Sequence, residues 1–260
     1  MKTAPILKEM TVEGIVLSAR DIGHANKVLV ILTKEHGIIE AFSNGCKNPK
    51  SKLVAVSQPL IYAKFVLSVK GGKYTVASAD LIRVFYNIRD NVDKLSLSFY
   101  LAEITLHISP RQESGAFFLK LLLNTLHFLE NDLKNYLLIK AVYELRLLSI
   151  SGYMPNLICC EGCGVYDDAK MVFYPRLGHI RCMDCATKLG GSEPKIPMTE
   201  GAFLAMRHII YSDLENFFSF NLKGESLKCL SYVCEEYVFE QTERTYQTLD
   251  FYKTISGFVV

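Results

Sequence analysis

Two Cys-x-x-Cys pairs, Cys160/Cys163 and Cys182/Cys185, constrain this chain more than any other feature. Eighteen residues separate Cys163 from Cys182, within the loop range of two-knuckle zinc sites. Each pair offers two thiolates on one tight turn, and Zn²⁺ takes four ligands at tetrahedral angles. Two knuckles therefore close the shell. No position is left for a reactive water, so the expected Zn²⁺ is structural. Gly162 and Gly164 suit turns in which backbone amides approach sulfur. Disulfides and unrelated buried thiols are the alternatives. Cys159 adjoins the first knuckle and could replace Cys160 there, at the cost of a longer C-x-x-x-C spacing. His179 is a weaker stand-in ligand and reads better as a loop-tip residue.

Eight cysteines, four of them in these pairs, fit a reducing cytoplasm better than a disulfide framework. Half of the 260 residues are hydrophobic, enough for a globular chain with more than one core. Residues 1–10 are polar and mixed, so no signal peptide is expected. The apolar runs Phe117 to Leu123 and Leu137 to Ile139 are too short to span a bilayer.

The first eighty residues read as β structure. Val12 to Ala19 alternates, and Val28 to Leu32 is an apolar run suited to a strand buried on both faces. Glu35-His36-Gly37 is a turn before Ile38 to Phe42. A Gly-, Asn-, Pro- and Lys-rich loop follows, Ser43 to Ser57. Leu60 to Val69 alternates, with Ile61, Ala63, Phe65, Leu67 and Val69 on one face. Gly71-Gly72 signals a two-residue hairpin into Tyr74 to Ala79. Five strands and one long loop predict a small closed barrel of OB type, with an SH3-like barrel as the alternative.

Beyond Asp80 the period becomes helical. Leu95, Phe99, Ala102 and Leu106 form one stripe; Phe117, Leu121, Asn124 and Phe128 a second; Leu137, Ala141, Leu145 and Leu148 a third. Ser114 and Asn131 are candidate N-caps, and Ser151-Gly152 a stop. The three helices read as a bundle. Helical period resumes at Thr199 to Tyr211 and Glu225 to Glu243, after a linker at Gly190 to Pro197. The expected class is α+β multidomain: an N-terminal OB-fold β-barrel (1–80), an α-helical domain (81–156 and 188–260), and an inserted four-cysteine zinc module (157–187).

Candidates for catalysis are sparse. Gly71-Gly72-Lys73 lacks the pattern of a phosphate loop, and no nucleophile elbow appears. Asp167-Asp168 reads as a turn pair, and Glu235-Glu236 as the solvated face of a helix. His107 and His127 lie in helical runs as packed or half-exposed residues. Cys229 and Cys234 read as core thiols, and Cys46 as a bystander beside Lys47. No catalytic residue is assigned.

Charge points elsewhere. Residues 1–80 carry eleven Lys and Arg against six Asp and Glu, whereas residues 81–260 carry eighteen against twenty-one. A basic first domain on a mildly acidic body suits a polyanionic partner. Lys47, Lys50 and Lys52 cluster in the long loop. Lys27 and Lys34 flank the second strand, and Lys64, Lys70 and Lys73 lie on or near the hairpin. Phe42, Tyr62 and Tyr74 are candidate stacking faces, with Phe42 better placed in the core.

These stretches resemble the RecO family of bacterial recombination mediators. The similarity lies in Leu17 to Arg20, in VLVILTKEHGIIEAFSNGCKNPKSKL (Val28 to Leu53), in QPL at Gln58 and YLAEI at Tyr100. MPNLICCEGCG from Met154, followed by GHIRCMDC, is similar to the zinc module that some members carry. The resemblance implies an OB barrel, a helical domain and a zinc module in a non-enzymatic DNA repair protein. It implies binding of single- and double-stranded DNA, annealing of complementary strands, and work with RecR and the C-terminal tail of the single-strand binding protein SSB to load RecA. It also implies a cytoplasmic, nucleoid-associated location, DNA contacts at Lys47, Lys50 and Lys52, and zinc at Cys160, Cys163, Cys182 and Cys185. Asn44 and Asn48 stand where members often have basic residues. An RNA-binding OB module and a zinc-dependent nucleic-acid enzyme are the rival readings.

Overall fold

The structure is a computed structural model that describes residues 8–166, 170–188, 192–213 and 215–257. Asp167-Asp168, most of the first ten residues and part of the expected linker lie outside them. Contacts divide the chain into two compact units, residues 1–130 and 131–260.

Unit one begins with five strands: β1 (Lys8–Ile22), β2 (Asn26–Thr33), β3 (Gly37–Ser43), β4 (Tyr62–Lys70) and β5 (Lys73–Arg83). A four-residue helix, α1 (Leu53–Val56), interrupts the long loop. The strands close into a barrel in the order β1-β2-β3-β5-β4, an OB-like arrangement. β1 makes closure possible because it serves two ladders. Lys8 to Ile15 pair with β4, and Gly14 to Ile22 with β2. The ladders overlap at Gly14, where an added Cβ would lie 2.6 Å from the Leu32 carbonyl oxygen. The β4–β5 hairpin turns on Gly71 and Gly72, both at positive φ (55° and 75°), as a type I′ turn demands. The alternation expected of β4 holds. Ile61, Ala63, Phe65 and Leu67 are buried in the barrel core with Val12, Val16, Leu29 and Ile31. Leu17, Val28, Leu32 and Ile38 are buried too, so the β1–β2 wall is apolar on both faces.

The outer face is covered by helices of the same unit. A single turn, α2 (Tyr86–Arg89), leads into α3 (Val92–Ile108) and α4 (Ala116–Glu130). α3 packs on β1, and α4 packs on β2 and α3. The Asn91 side chain accepts from the Asp93 and Lys94 amides to cap α3. At the start of α4, the Ser114 hydroxyl accepts from the Ala116 amide and donates to the Lys34 carbonyl. The stripes expected of α3 and α4 meet the buried faces only in part, at Ala102 and Leu121. Phe117 is 64% exposed, while Phe118, Leu119, Leu122, Leu126 and Leu129 are buried. Thr125 joins them because its hydroxyl bonds the Leu121 carbonyl (2.8 Å). In α3 the innermost residues are Leu97, Tyr100, Leu101 and Ile104. The three helices do not form one bundle, since α3 and α4 belong with the barrel.

Unit two is built on α5 (Tyr136–Ile150), buried at every residue from Leu137 to Leu148. Asn135, not Asn131, caps it. A three-stranded sheet follows, of β6 (Met171–Tyr174), β7 (His179–Cys182) and β8 (Ile196–Pro197) in the order β7-β6-β8. Between β7 and β8 lies α6 (Met183–Lys188). Then come α7 (Glu200–Tyr211), α8 (Gly224–Thr242) and α9 (Gln247–Ser256), the last not foreseen from periodicity. α5 packs on α7 and α8, so the cysteine module interrupts a continuous helical pack.

Candidate metal centre and nucleic-acid surface

The first knuckle is shaped by backbone. The Gly164 amide donates to the Cys160 carbonyl (2.9 Å), and the Gly162 amide donates to the Cys160 Sγ (3.3 Å). An added Cβ on Gly162 would lie 2.9 Å from the Cys185 Sγ, so only glycine lets the two knuckles approach. The second knuckle runs from the end of β7 into α6. The Glu161 amide ties the knuckles together by donating to the Ile180 carbonyl (2.9 Å).

The result is a cluster of Cys160, Cys163, Cys182 and Cys185, whose sulfurs all lie within 4.8 Å of one another. The Cys163–Cys182 separation is 3.7 Å. A tetrahedral shell with Zn–S bonds near 2.3 Å has edges of about 3.8 Å. Four sulfurs in this arrangement could hold Zn²⁺ with no open position. Cys159, half-buried, is not in the cluster, so the C-x-x-C spacing prevails over C-x-x-x-C.

The thiols make the case for a cation chemically. Burial raises Cys160, but backbone hydrogen bonds from Cys182, Cys163 and Gly162 outweigh it and hold the thiol at about 6. Cys185 is pushed up to about 12, first by hydrogen bonding with the Cys182 and Cys163 sulfurs and then by burial. A thiolate at Cys160 therefore works against ionisation of Cys182 and Cys185 beside it. A divalent cation at the centre would offset that effect.

The module is fastened to the helices by Gln241 of α8, whose side chain donates to the Pro175 and Arg176 carbonyls, and by an arginine. Arg207 of α7 donates to the Leu157, Ile158 and Tyr166 carbonyls (2.6–2.8 Å). Its guanidinium lies over both the Phe203 and Tyr166 rings, 4.1 and 4.3 Å from their centroids. Sequence reading missed this residue; an Arg on a helical stripe gives no sign of the loop it will meet.

The basic residues of the barrel fall into three places. Lys27 and Lys47 meet at one end of β2 and β3, where Lys27 pairs with Ser43 and the Lys47 amide donates to the Ala25 carbonyl. Lys50 and Lys52 are exposed on the same loop. Lys34 is at the opposite end of β2, about 23 Å away along an eight-residue strand. Lys70 and Lys73 flank the β4–β5 turn, and Lys64 is exposed on β4. Lys47 is also paired with Asp21 (2.7 Å), and that hydrogen bond holds the Asp21 carboxyl below its usual range. Asn48 has a turn role: its side chain accepts from the Lys50 amide (3.0 Å). Among the aromatics, Phe42 is half-buried, Tyr74 packs on the barrel core, and the Tyr62 hydroxyl donates to Glu13 (3.2 Å).

Two expectations about polar residues need correction. Glu235 is not on a solvated face. It pairs with Lys140 (2.9 Å) and with Lys253, while Lys140 also pairs with Glu144 (3.0 Å). Lys140 and Glu144 are 1% and 0% exposed. Burial alone would lower the Lys140 ammonium, but the two carboxylates outweigh it and raise it above the usual lysine range. Cys234 is buried as expected, while Cys229 is only half-buried. Among the described residues, no helix is long and apolar enough to cross a membrane.

Comparison with known proteins agrees with this architecture. The family model "Recombination protein O N terminal" matches residues 7–85, and "Recombination protein O C terminal" matches residues 89–250. The chain is similar to the DNA repair protein RecO of Acetivibrio thermocellus, at 34% identity over 93% of this chain and 95% of that one. It is similar also to DNA repair protein RecO of Symbiobacterium thermophilum (28%, over 94% and 96%) and of Bacillus subtilis (29%, over 88% of each). Matched from barrel to last helices, with four clustered thiols where some members carry zinc, the chain belongs to the RecO family.

Proposed function

We propose that this chain is a recombination mediator in DNA repair, which binds single- and double-stranded DNA and anneals complementary strands. In that reading it works with RecR and the SSB tail to load RecA in the cytoplasm. The observation that carries it is the family match across both halves of the chain. The chemistry asks for no bond making or breaking. Annealing requires that repulsion between phosphates be screened while base edges stay free to pair, which ammonium groups around a barrel can do.

Lys47, Lys50 and Lys52, with Lys27, Lys34, Lys70 and Lys73, are the proposed phosphate contacts. Because Lys27 and Lys34 stand at opposite ends of β2, a strand touching both must run along the barrel wall. Cys160, Cys163, Cys182 and Cys185 hold a structural Zn²⁺ in this proposal. A closed shell of four thiolates has no place for a hydrolytic water, which weighs against a zinc-dependent nuclease.

The test is a fluorescence annealing assay with complementary oligonucleotides. Annealing should proceed without nucleotide and be unchanged by ATP. A requirement for ATP, or strand cleavage by highly purified protein, would refute the mediator reading. Stronger binding to RNA than to a DNA oligomer of matched sequence would favour the RNA-binding OB module instead.

A further inference from the structure

The barrel is closed by a short seam. β3 pairs with β5 only at Ala41–Tyr74 and Phe42–Thr75, in parallel. At the other end of β3, Gly37 is bridged to Arg111, through Ile38 N–H to the Pro110 carbonyl (2.9 Å) and Gln112 N–H to the His36 carbonyl (3.2 Å). Strand groups alternate in direction. Residues 37, 39 and 41 therefore turn their backbone groups to β2, and residues 36, 38, 40 and 42 turn theirs outward. The Arg111 bridge uses the His36 carbonyl and Ile38 N–H. The parallel seam uses the Glu40 carbonyl and both groups of Phe42. Neither ladder takes up the Ile38 carbonyl or the Glu40 N–H.

These two groups face a cleft of about 320 Å³, lined by His36, Ile38, Glu40, Tyr74, Arg111 and the Gly72 turn. Seam and bridge bracket it, leaving about 7 Å of strand edge, two residues long. Two residues of free edge are too few for a strand ladder, but one carbonyl and one N–H match the donor–acceptor edge of a single planar ring. Tyr74 supplies an aromatic wall, and Lys70 and Lys73 stand on the hairpin above it.

The geometry points to a binding site for one unpaired nucleobase, held through its Watson–Crick edge by the Ile38 carbonyl and the Glu40 N–H. Each of the four bases carries a neighbouring donor and acceptor on that edge, so the site accepts any of them. In thymine, N3–H donates to the Ile38 carbonyl and O4 accepts from the Glu40 N–H. A base already paired in a duplex has no free edge to offer. The cleft thus gives the barrel a preference for single strands that phosphate contacts alone cannot supply, and it releases the base as the strand pairs. This inference rests on the reading that the chain binds single-stranded DNA.

The test compares a short oligothymidylate with the same oligomer built from N3-methylthymidine, which has equal charge and stacking but no N3 donor. The full chain should bind the unmodified oligomer about tenfold more tightly, the order expected of two neutral hydrogen bonds, with the same dependence on salt. Glu40→Pro removes the N–H at a position where neither ladder uses it, and should abolish the discrimination, while Glu40→Ala should keep it. Photo-crosslinking of an iodouracil-labelled strand, which needs no variant, should map to Tyr74. Equal binding of the two oligomers would overturn the cleft while leaving DNA binding intact. So would discrimination that survives in Glu40→Pro, or crosslinks confined to other residues. No binding of either oligomer would overturn both the cleft and the DNA-binding reading.

Discussion

The two sheets of this molecule are held by different means. The barrel has strands of 7 to 15 residues and a core of twelve buried residues, including Phe65, Ile31 and Val16. The sheet of the cysteine module has strands of four, four and two residues. Its own core is Val172, Tyr174 and Ala186, with Met183 against it. The barrel can be stabilised by apolar burial and closed ladders alone. The small sheet has little core of its own and is held by attachments: Phe173 packs edge-on against Tyr237 of α8, Gln241 donates to the Pro175 and Arg176 carbonyls, Arg207 pins the first knuckle to α7, and the four thiols cluster. A sheet too small for a core needs a cross-link, and here metal coordination fits that role.

The largest expected effect breaks that contrast at the thiols. Structural Zn²⁺ in small modules contributes on the order of 10–16 kcal/mol of binding free energy. Cys163→Ser, or a strong chelator, should reduce bound zinc and unfold the module. Exchange of the barrel amides, followed by hydrogen exchange, should not change. Protein purified without added zinc whose metal content is indifferent to Cys163→Ser would refute the structural role.

Next come two buried sites, one in each unit. Phe65→Ala empties the centre of the barrel and should cost about 3–5 kcal/mol in a denaturant titration. Lys140→Ala removes the buried ammonium that faces both Glu144 and Glu235 and should cost a similar amount, about 3–5 kcal/mol. The two differ in repair. Replacing Lys140 and Glu144 together by Met and Leu should recover most of the loss, because Glu235 keeps Lys253. A double variant as unstable as Lys140→Ala would show that packing, and not charge, dominates there.

A smaller effect appears in acid. Burial alone would raise the Glu235 carboxyl, but Lys140 and Lys253 outweigh it and hold the folded-state value low. Its contribution is present above the unfolded carboxylate range, about pH 4.5, and is lost as pH falls through the lower folded value. Glu235→Gln should therefore flatten the decline of stability below about pH 4.5 in unit two. An acid limb identical to wild type would place the responsible carboxylate elsewhere.

The smallest effect on stability belongs to the barrel surface. Changing Lys47, Lys50 and Lys52 to Ala should alter the melting midpoint little, since all three side chains are exposed and the Lys47–Asp21 pair lies in solvent. DNA binding should respond instead. The slope of log K against log salt on single strands should fall by up to about 2 if each lysine neutralises one phosphate. An unchanged slope in an anisotropy titration would move the DNA surface towards Lys170, Arg176 and Arg181 of the cysteine module.

How much was legible depends on the range of the signal. The hairpin at Gly71-Gly72 and the alternation from Ile61 to Leu67 are local, and both are where the sequence places them. The four cysteines were legible because metal chemistry restricts spacing, and the sulfurs do converge. Helix positions were legible to within a few residues, and the stripe of α5 is buried throughout, but the phase of α3 and α4 was legible only in part. In α4, aromatic and aliphatic residues occupy most of the circumference, so Phe117 and Phe118 are equivalent on paper. Only the β2 wall and α3 decide which one is buried.

By itself, then, the sequence determined the elements: five strands from period two and glycine turns, long helices from period 3.6, and a closed thiolate shell from two knuckles. Those follow from backbone geometry and ligand valence, which act over a few residues. Tertiary structure decided the partners. It joined α3 and α4 to the barrel although the family boundary falls near residue 85, it drew Glu235 into a buried ion network with Lys140, and it left a gap in the β3 edge between Arg111 and Tyr74. Each of these depends on surfaces brought together from distant parts of the chain, where burial and pairing are properties of the neighbour as much as of the residue.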